Sequence, residues 1–168
     1  MAGEWEITPA TRADAGEILT LQRACWVQEA IANDDLRIPT LHETLADVQA
    51  GLGEWDTYVV RQAGRLIGSV RGRTVSPDGG VDGGVDAADA EWEIGRLMVA
   101  PDLQGGGLGR ALLEHIQAVA PAGVRRMWLF TGAASERNHR LYARAGFRLR
   151  RDRPGPGPTA VVFAKTVR

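Results

Sequence analysis

The chain has 168 residues, 44% of them hydrophobic and 24% charged, a composition that suits one globular domain with a real core and is short for two. No apolar run approaches the roughly 20 residues of a membrane-crossing helix, and the opening Met-Ala-Gly-Glu-Trp-Glu lacks the basic and apolar parts of a signal peptide, so a cytoplasmic protein is expected. The formal net charge of -1 hides an asymmetry: residues 1–124 hold nine Arg against nineteen Asp and Glu, whereas 125–168 hold eleven Arg and Lys against two acids. Two readings stay open, namely solvated faces that attract one another in the fold, or a polyanion meeting the second half and a cation the first.

In chain order, Glu4 to Thr8 reads as a short strand, and Thr8, Thr11 and Asp14 are capping choices for a helix through Ile18, Leu19, Leu21, Gln22, Cys25 and Trp26. The lone Cys25 reads as a small buried hydrophobe rather than a nucleophile. His42, His115 and His139 lack metal-ligand spacing, so no metal is expected. A second helix is predicted from about Leu41 to Ala50, ended by Gly51 and Gly53. Thr57 to Arg61 and Leu66 to Val75 form a predicted antiparallel hairpin around Gln62-Ala63-Gly64-Arg65. Ser76 to Ala90, rich in Asp, Gly and Ala, reads as a mobile loop. There follow a strand over Glu91 to Val99, a helix over Gly107 to Val119, a strand over Val124 to Thr131, and a helix over Ser135 to Ala145 stopped by Gly146. Phe147 to Arg150 and Ala160 to Thr166 are the last two strands, on either side of a Pro-Gly-Pro-Gly-Pro segment. The class is mixed α+β.

The segment Pro101 to Arg110 lies between a strand and an amphipathic helix, and holds Gly105, Gly106, Gly107 and Gly109. Its backbone amides can converge on an anion at the helix start. A Walker loop needs Lys and then Ser or Thr after its last glycine, where this chain has Arg110 and Ala111. A dinucleotide fingerprint started at Gly105 or Gly107 would place its third glycine at Arg110 or Leu112, and fails too.

What remains is Gln104-x-x-Gly107-x-Gly109 after Leu97-Met98-Val99, which resembles the pyrophosphate loop of the Gcn5-related N-acetyltransferase (GNAT) family. Glu91 to Pro101 looks like that family's fourth strand and its exit. Ser135-Glu136-Arg137-Asn138 with Leu141-Tyr142-Ala143-Arg144-Ala145-Gly146-Phe147 is similar to its second conserved block. The strong match covers about 90–150, within one domain over 1–168. The resemblance implies a central mixed, mostly antiparallel twisted sheet of six to seven strands with about four helices, its fourth and fifth strands splayed. It also implies acetyl transfer from acetyl-coenzyme A to a primary amine, a small molecule being preferred to a protein lysine or N-terminus. A non-catalytic acyl-coenzyme A sensor and a nucleic-acid binder are the rivals, the latter lacking interleaved aromatic platforms. A homodimer is expected by analogy, and the excess of Arg over Lys suggests a bacterial source.

By the same resemblance, the pantetheine arm pairs with backbone groups of Leu97, Met98 and Val99. Pyrophosphate meets the amides of Gly105, Gly106, Gly107, Leu108, Gly109 and Arg110, with Gln104 orienting the loop. Arg137, Arg140, Arg144, Arg148, Arg150 and Arg151 suit the nucleotide end. Asn138 contacts the cofactor arm, and Tyr142 protonates the departing thiolate. Ser135 is expected foremost as a helix cap. An ammonium of pKa about 10.4 is neutral only about once in 2,500 molecules at pH 7, a deficit of about 4.6 kcal/mol, so a carboxylate base is needed. Glu91 and Glu93 share a strand face and both fit. Glu93 is preferred, because its spacing before Gln104 matches where the family often carries its base. Trp26, Glu29, Asn33, Asp34 and Asp35 are the candidates for holding the acceptor.

Overall fold

The computed structural model describes residues 5–76 and 90–167. Most of the loop expected over Ser76 to Ala90 lies outside the described residues, as does Glu4 at the start of the first expected strand. The strands are β1 (Ile7–Pro9), β2 (Asp56–Gln62), β3 (Arg65–Val75), β4 (Glu91–Val99), β5 (Arg126–Gly132), β6 (Arg148–Arg150) and β7 (Ala160–Thr166); the helices are α1 (Ala15–Ala32), α2 (Pro39–His42), α3 (Leu45–Glu54), α4 (Leu108–Ala118) and α5 (Glu136–Arg144). All seven strands form one sheet in the order β1-β2-β3-β4-β5-β7-β6, antiparallel except for β4 beside β5. The mixed, mostly antiparallel α+β class expected from the sequence is therefore the one observed. No helix among the described residues is long and apolar enough to cross a membrane.

The helix predicted from Leu41 to Ala50 is corrected to two. Glu43 and Thr44 are extended, and the Thr44 hydroxyl accepts from the Asp47 amide at 3.2 Å, so Thr44 starts a new helix rather than continuing the old one. Gly51 and Gly53 lie inside α3 and do not end it. Gly51 is at a close approach, since a Cβ there would stand 3.3 Å from a terminal nitrogen of Arg71.

Side-chain alternation sends the two faces of β3 to different helices. A Cβ on Gly68 would lie 3.0 Å from Leu108 and Leu112, and one on Gly72 would lie 2.3 Å from the Trp92 ring, so this face is kept bare for α4. Trp92 is buried and donates its indole N–H to the Ile116 carbonyl at 3.0 Å, tying β4 to α4. On the opposite face Ser69 and Arg71 meet Ile18 and Gln22 of α1 and Gly51 of α3. One continuous core of buried side chains runs through both layers.

Two irregularities open the sheet at its centre. β4 pairs with β5 only from Glu91↔Arg126 to Glu93↔Trp128; beyond Glu93 it has no partner on that side, while β5 continues along β7 to Gly132. On its other edge β4 carries an extra residue against β3, where the register shifts between Ser69 and Arg71. Arg96 takes a φ of 50° there, the left-handed conformation of a bulge that bends the strand. The fourth and fifth strands are thus splayed, as expected.

Candidate active site

The gap between β4 and β5 opens into a cavity of about 1620 Å³. Ile94 to Val99 and Leu129 to Gly132 line it, together with residues of the glycine loop and of the end of α1.

The glycine loop reaches its shape through a short 3-10 turn, Pro101–Leu103, then Gly105 at φ 93° and Gly107 at φ 91°. Gly107 is the N-cap of α4, and a side chain there would strain the left-handed backbone. Leu108, Gly109 and Arg110 are the first helical residues and have no carbonyl one turn back, so their amides and the positive end of the helix are available to an anion. Gln104 donates from Nε2 to the Val99 carbonyl at 3.2 Å and accepts from Arg137 through Oε1, joining the loop to β4 and α5. Arg110 borders the cavity but is ion-paired with Glu114 at 2.7 Å. Gly106 is exposed and is not part of the lining. Leu108 has its side chain in the core.

The pantetheine candidates divide by burial: Met98 is a core side chain, while Leu97 and Val99 are half-buried. Cys25 also borders the cavity and donates its thiol to the Val99 carbonyl at 3.3 Å. Burial pushes that thiol up to about 11, so it is uncharged at neutral pH and no nucleophile.

Across the gap, Asn138 and Tyr142 lie one turn apart on α5 and both line the cavity. Asn138 donates to Thr131 Oγ1 at 3.2 Å and to Glu29 Oε1 at 3.3 Å. Tyr142 packs its ring on Phe147 and Phe163, with centroids 6.4 and 5.8 Å apart. Burial, and then the negative charge of Glu29, raise its phenol well above the ordinary tyrosine range. It keeps its proton. Leu141 and Ala145 border the cavity too, and a Cβ on Gly109 would stand 3.8 Å from Leu141.

The capping role expected of Ser135 is corrected. It stands at the N-cap of α5 without a side-chain capping bond, because its hydroxyl donates to Glu29 Oε2 and accepts from Asn33 Nδ2 at 3.2 Å. Asn33 also donates to the Glu29 carbonyl and accepts from the Ala134 amide, both at 2.9 Å. Its amide is thus spent on fastening α1 to the β5–α5 turn rather than turned toward an acceptor. A side chain at Gly132 would collide with it, since a Cβ would stand 2.2 Å from Asn33 Nδ2. Trp26, Glu29, Asn33 and Asp35 border the cavity; Asp34 does not, and it takes a left-handed φ of 50° just past the end of α1.

The two β4 carboxylates are both engaged. Glu93 is 6% exposed, is bonded to Arg73 Nε at 2.8 Å, and is not among the lining residues, the β4 wall beginning at Ile94. Glu91 is held between Arg126 and Arg153, each at 2.8 Å. Several contributors carried no sequence signal. Thr131 and Thr159 look like ordinary strand-end and loop residues, and Arg96 owes its place to the bulge: it reaches Thr40 and Glu43 and lies 5.4 Å over the Trp26 ring.

The acetyltransferase (GNAT) family model matches residues 18–147. No curated protein matches the chain. Among solved structures, the GNAT domain of S. lividans PAT is 22% identical with a TM-score of 0.77, covering 98% of this chain and 92% of that one. PaiA N-acetyltransferase from Thermoplasma acidophilum, solved in complex with coenzyme A, is 13% identical with a TM-score of 0.76, covering 98% and 100%. An acetyltransferase from Thermus thermophilus is 22% identical with a TM-score of 0.69, covering 99% of each chain. At such identities these likenesses are of fold. The family match, however, takes in α1, the splayed β4, the glycine loop and α5 together, and the chain belongs to the GNAT family of acetyltransferases.

Proposed function

We propose that this protein transfers the acetyl group of acetyl-coenzyme A to the primary amine of a small molecule. The observation that carries the reading is the cavity opening between β4 and β5, which is bordered both by an anion-ready helix start and by Trp26 and Glu29. The pyrophosphate would lie on the amides of Gly105 to Arg110, with Gln104 fixing the loop from β4. Arg137, Arg140 and Arg144 border the same cavity and suit the phosphorylated nucleotide. The pantetheine arm would run along Leu97 to Val99, whose β5-side edge has no strand partner.

The amine attacks the thioester carbonyl directly, and the protein contributes position and charge. The C–N bond forms, the C–S bond breaks, and the departing sulfur takes the Tyr142 phenolic proton. The hydroxyl makes no hydrogen bond among the described residues, and its raised pKa keeps the proton in place at neutral pH.

Thiol release from acetyl-coenzyme A, measured against amino acids, polyamines, aminoglycosides and short peptides, tests the reading. Release with at least one small amine, and less with the peptides, is expected. Better turnover of peptide N-termini or lysines would make it a protein acetyltransferase, and tight cofactor binding with no acceptor turned over would make it a sensor.

A further inference from the structure

We propose that Glu29 of α1, rather than a β4 carboxylate, binds the acceptor's ammonium and takes its proton. This rests on the acetyl-transfer reaction and names the base within it. The β4 carboxylates are poor candidates by geometry. Glu93 is ion-paired with Arg73 and Glu91 with two arginines, so the charge of each is already compensated, and neither borders the cavity.

Among the described residues, the carboxylates that line the cavity are Glu29, Asp35, Glu114 and Glu136. Glu114 is paired with Arg110, Glu136 with Arg140, and Asp35 with Arg37 at 3.7 Å. Glu29 has no ion pair among the described residues. Its bonds come from neutral donors, the Ser135 hydroxyl to Oε2 and the Asn138 amide to Oε1 at 3.3 Å. These fix its direction and leave its negative charge uncompensated, which is the arrangement that recruits a cation.

Its neighbours fit that task. Trp26, three residues earlier on the helix, also borders the cavity and already carries the Arg96 guanidinium at 5.4 Å from its ring, so an aromatic surface that accepts cations flanks the carboxylate. Asn138, bonded to Glu29, is one turn from Tyr142, and the Glu29 charge is felt at the phenol. Proton acceptor and proton donor therefore stand on the same end of the cavity.

The protons balance as follows. The ammonium gives one to a Glu29 oxygen, from which it passes to water. The freed lone pair attacks the carbonyl carbon. As the C–S bond breaks, sulfur takes the Tyr142 proton, and the phenol is restored by the second proton that the nitrogen gives up. One proton is released per turnover.

The test uses an alkylamine that the wild-type protein acetylates and a weakly basic hydrazide that is neutral at pH 7. Glu29→Gln is expected to lose about 100-fold or more in kcat/KM with the alkylamine, to stay within about threefold of wild type with the hydrazide, and to bind acetyl-coenzyme A unchanged. Glu29→Asp, which keeps the carboxylate, should recover part of the alkylamine activity. Glu93→Gln should show no difference between the two amines. Equal loss of both amines in Glu29→Gln, no loss of either, or an Asp variant as poor as the Gln variant while both bind cofactor would overturn the proposal. A selective alkylamine loss in Glu93→Gln would return the base to β4. If the wild-type protein acetylates no amine at all, it is the transfer reaction that fails, and not the placing of its base.

Discussion

Tyr142 and Cys25 both border the cavity, and burial acts on both in the same direction. An acid whose charged form is the deprotonated one has its pKa raised by burial, so each group stays neutral to higher pH than usual. In the proposed mechanism this keeps the Tyr142 proton available to the departing sulfur. Tyr142→Phe should lower turnover about 100-fold while acetyl-coenzyme A affinity stays within about twofold, measured by thiol release and calorimetry. For Cys25 the prediction is slow alkylation by iodoacetamide at pH 7 to 8 and a rate that climbs as pH approaches 11; fast labelling at neutral pH would contradict its burial. At this scale the sequence was informative wherever a residue acts through its local neighbours. Asn138 and Tyr142, four residues apart in one helix, share a face by spacing alone. It was uninformative wherever the partner is distant. Nothing local reveals that Glu93 meets Arg73 across a strand pair, or that Ser135 turns from capping its own helix to bond Glu29 more than 100 residues away.

Strands and helices were more legible. β4 and β7 have the boundaries expected from the sequence, β7 because an apolar, β-branched run after turn residues has few alternatives. The miss at α2 and α3 has a specific cause: Thr44 and Asp47 form a capping box inside a stretch whose apolar spacing continues across it. Glycine was the other source of error. Gly51 and Gly53 read as helix stops, yet a glycine can equally mark a place where another group must come close, as Arg71 does at Gly51. Gly72 is the clearest case, with the Trp92 ring 2.3 Å from where a Cβ would be. Gly72→Ala should cost about 1–3 kcal/mol, read as a lower Tm. Trp92→Phe in the same chain should restore part of the loss, since it removes ring volume at the cost of the bond to Ile116.

Over the whole molecule, part of the opposed charge of the two halves is compensated within the fold. Arg126 and Arg153 of the basic half neutralise Glu91 of the acidic half inside the fold. Arg137, Arg140 and Arg144 instead border the cavity. Acetyl-coenzyme A binding should therefore weaken as salt rises from about 0.05 to about 0.5 M, because these exposed charges act through screened solvent. Coenzyme A at about 100 times its Kd should stabilise the fold by about 2.7 kcal/mol, seen as a rise in Tm that pantetheine, lacking the phosphates, does not match.

The three rungs that join β4 to β5 have a mechanical meaning. Glu91, Trp92 and Glu93 are the apex of a wedge, and any ligand lying between the strands pushes them apart with that apex as its fulcrum. Leverage is greatest there, and it is there that Arg126, Arg153 and Arg73 close on the two buried glutamates. Arg126 of β5 and Arg153 tie Glu91 at that apex, while Arg73 of β3 holds Glu93 from the other side of β4. Widening of the cleft is therefore expected at the unpaired ends of the strands, with the ion-paired junction staying closed.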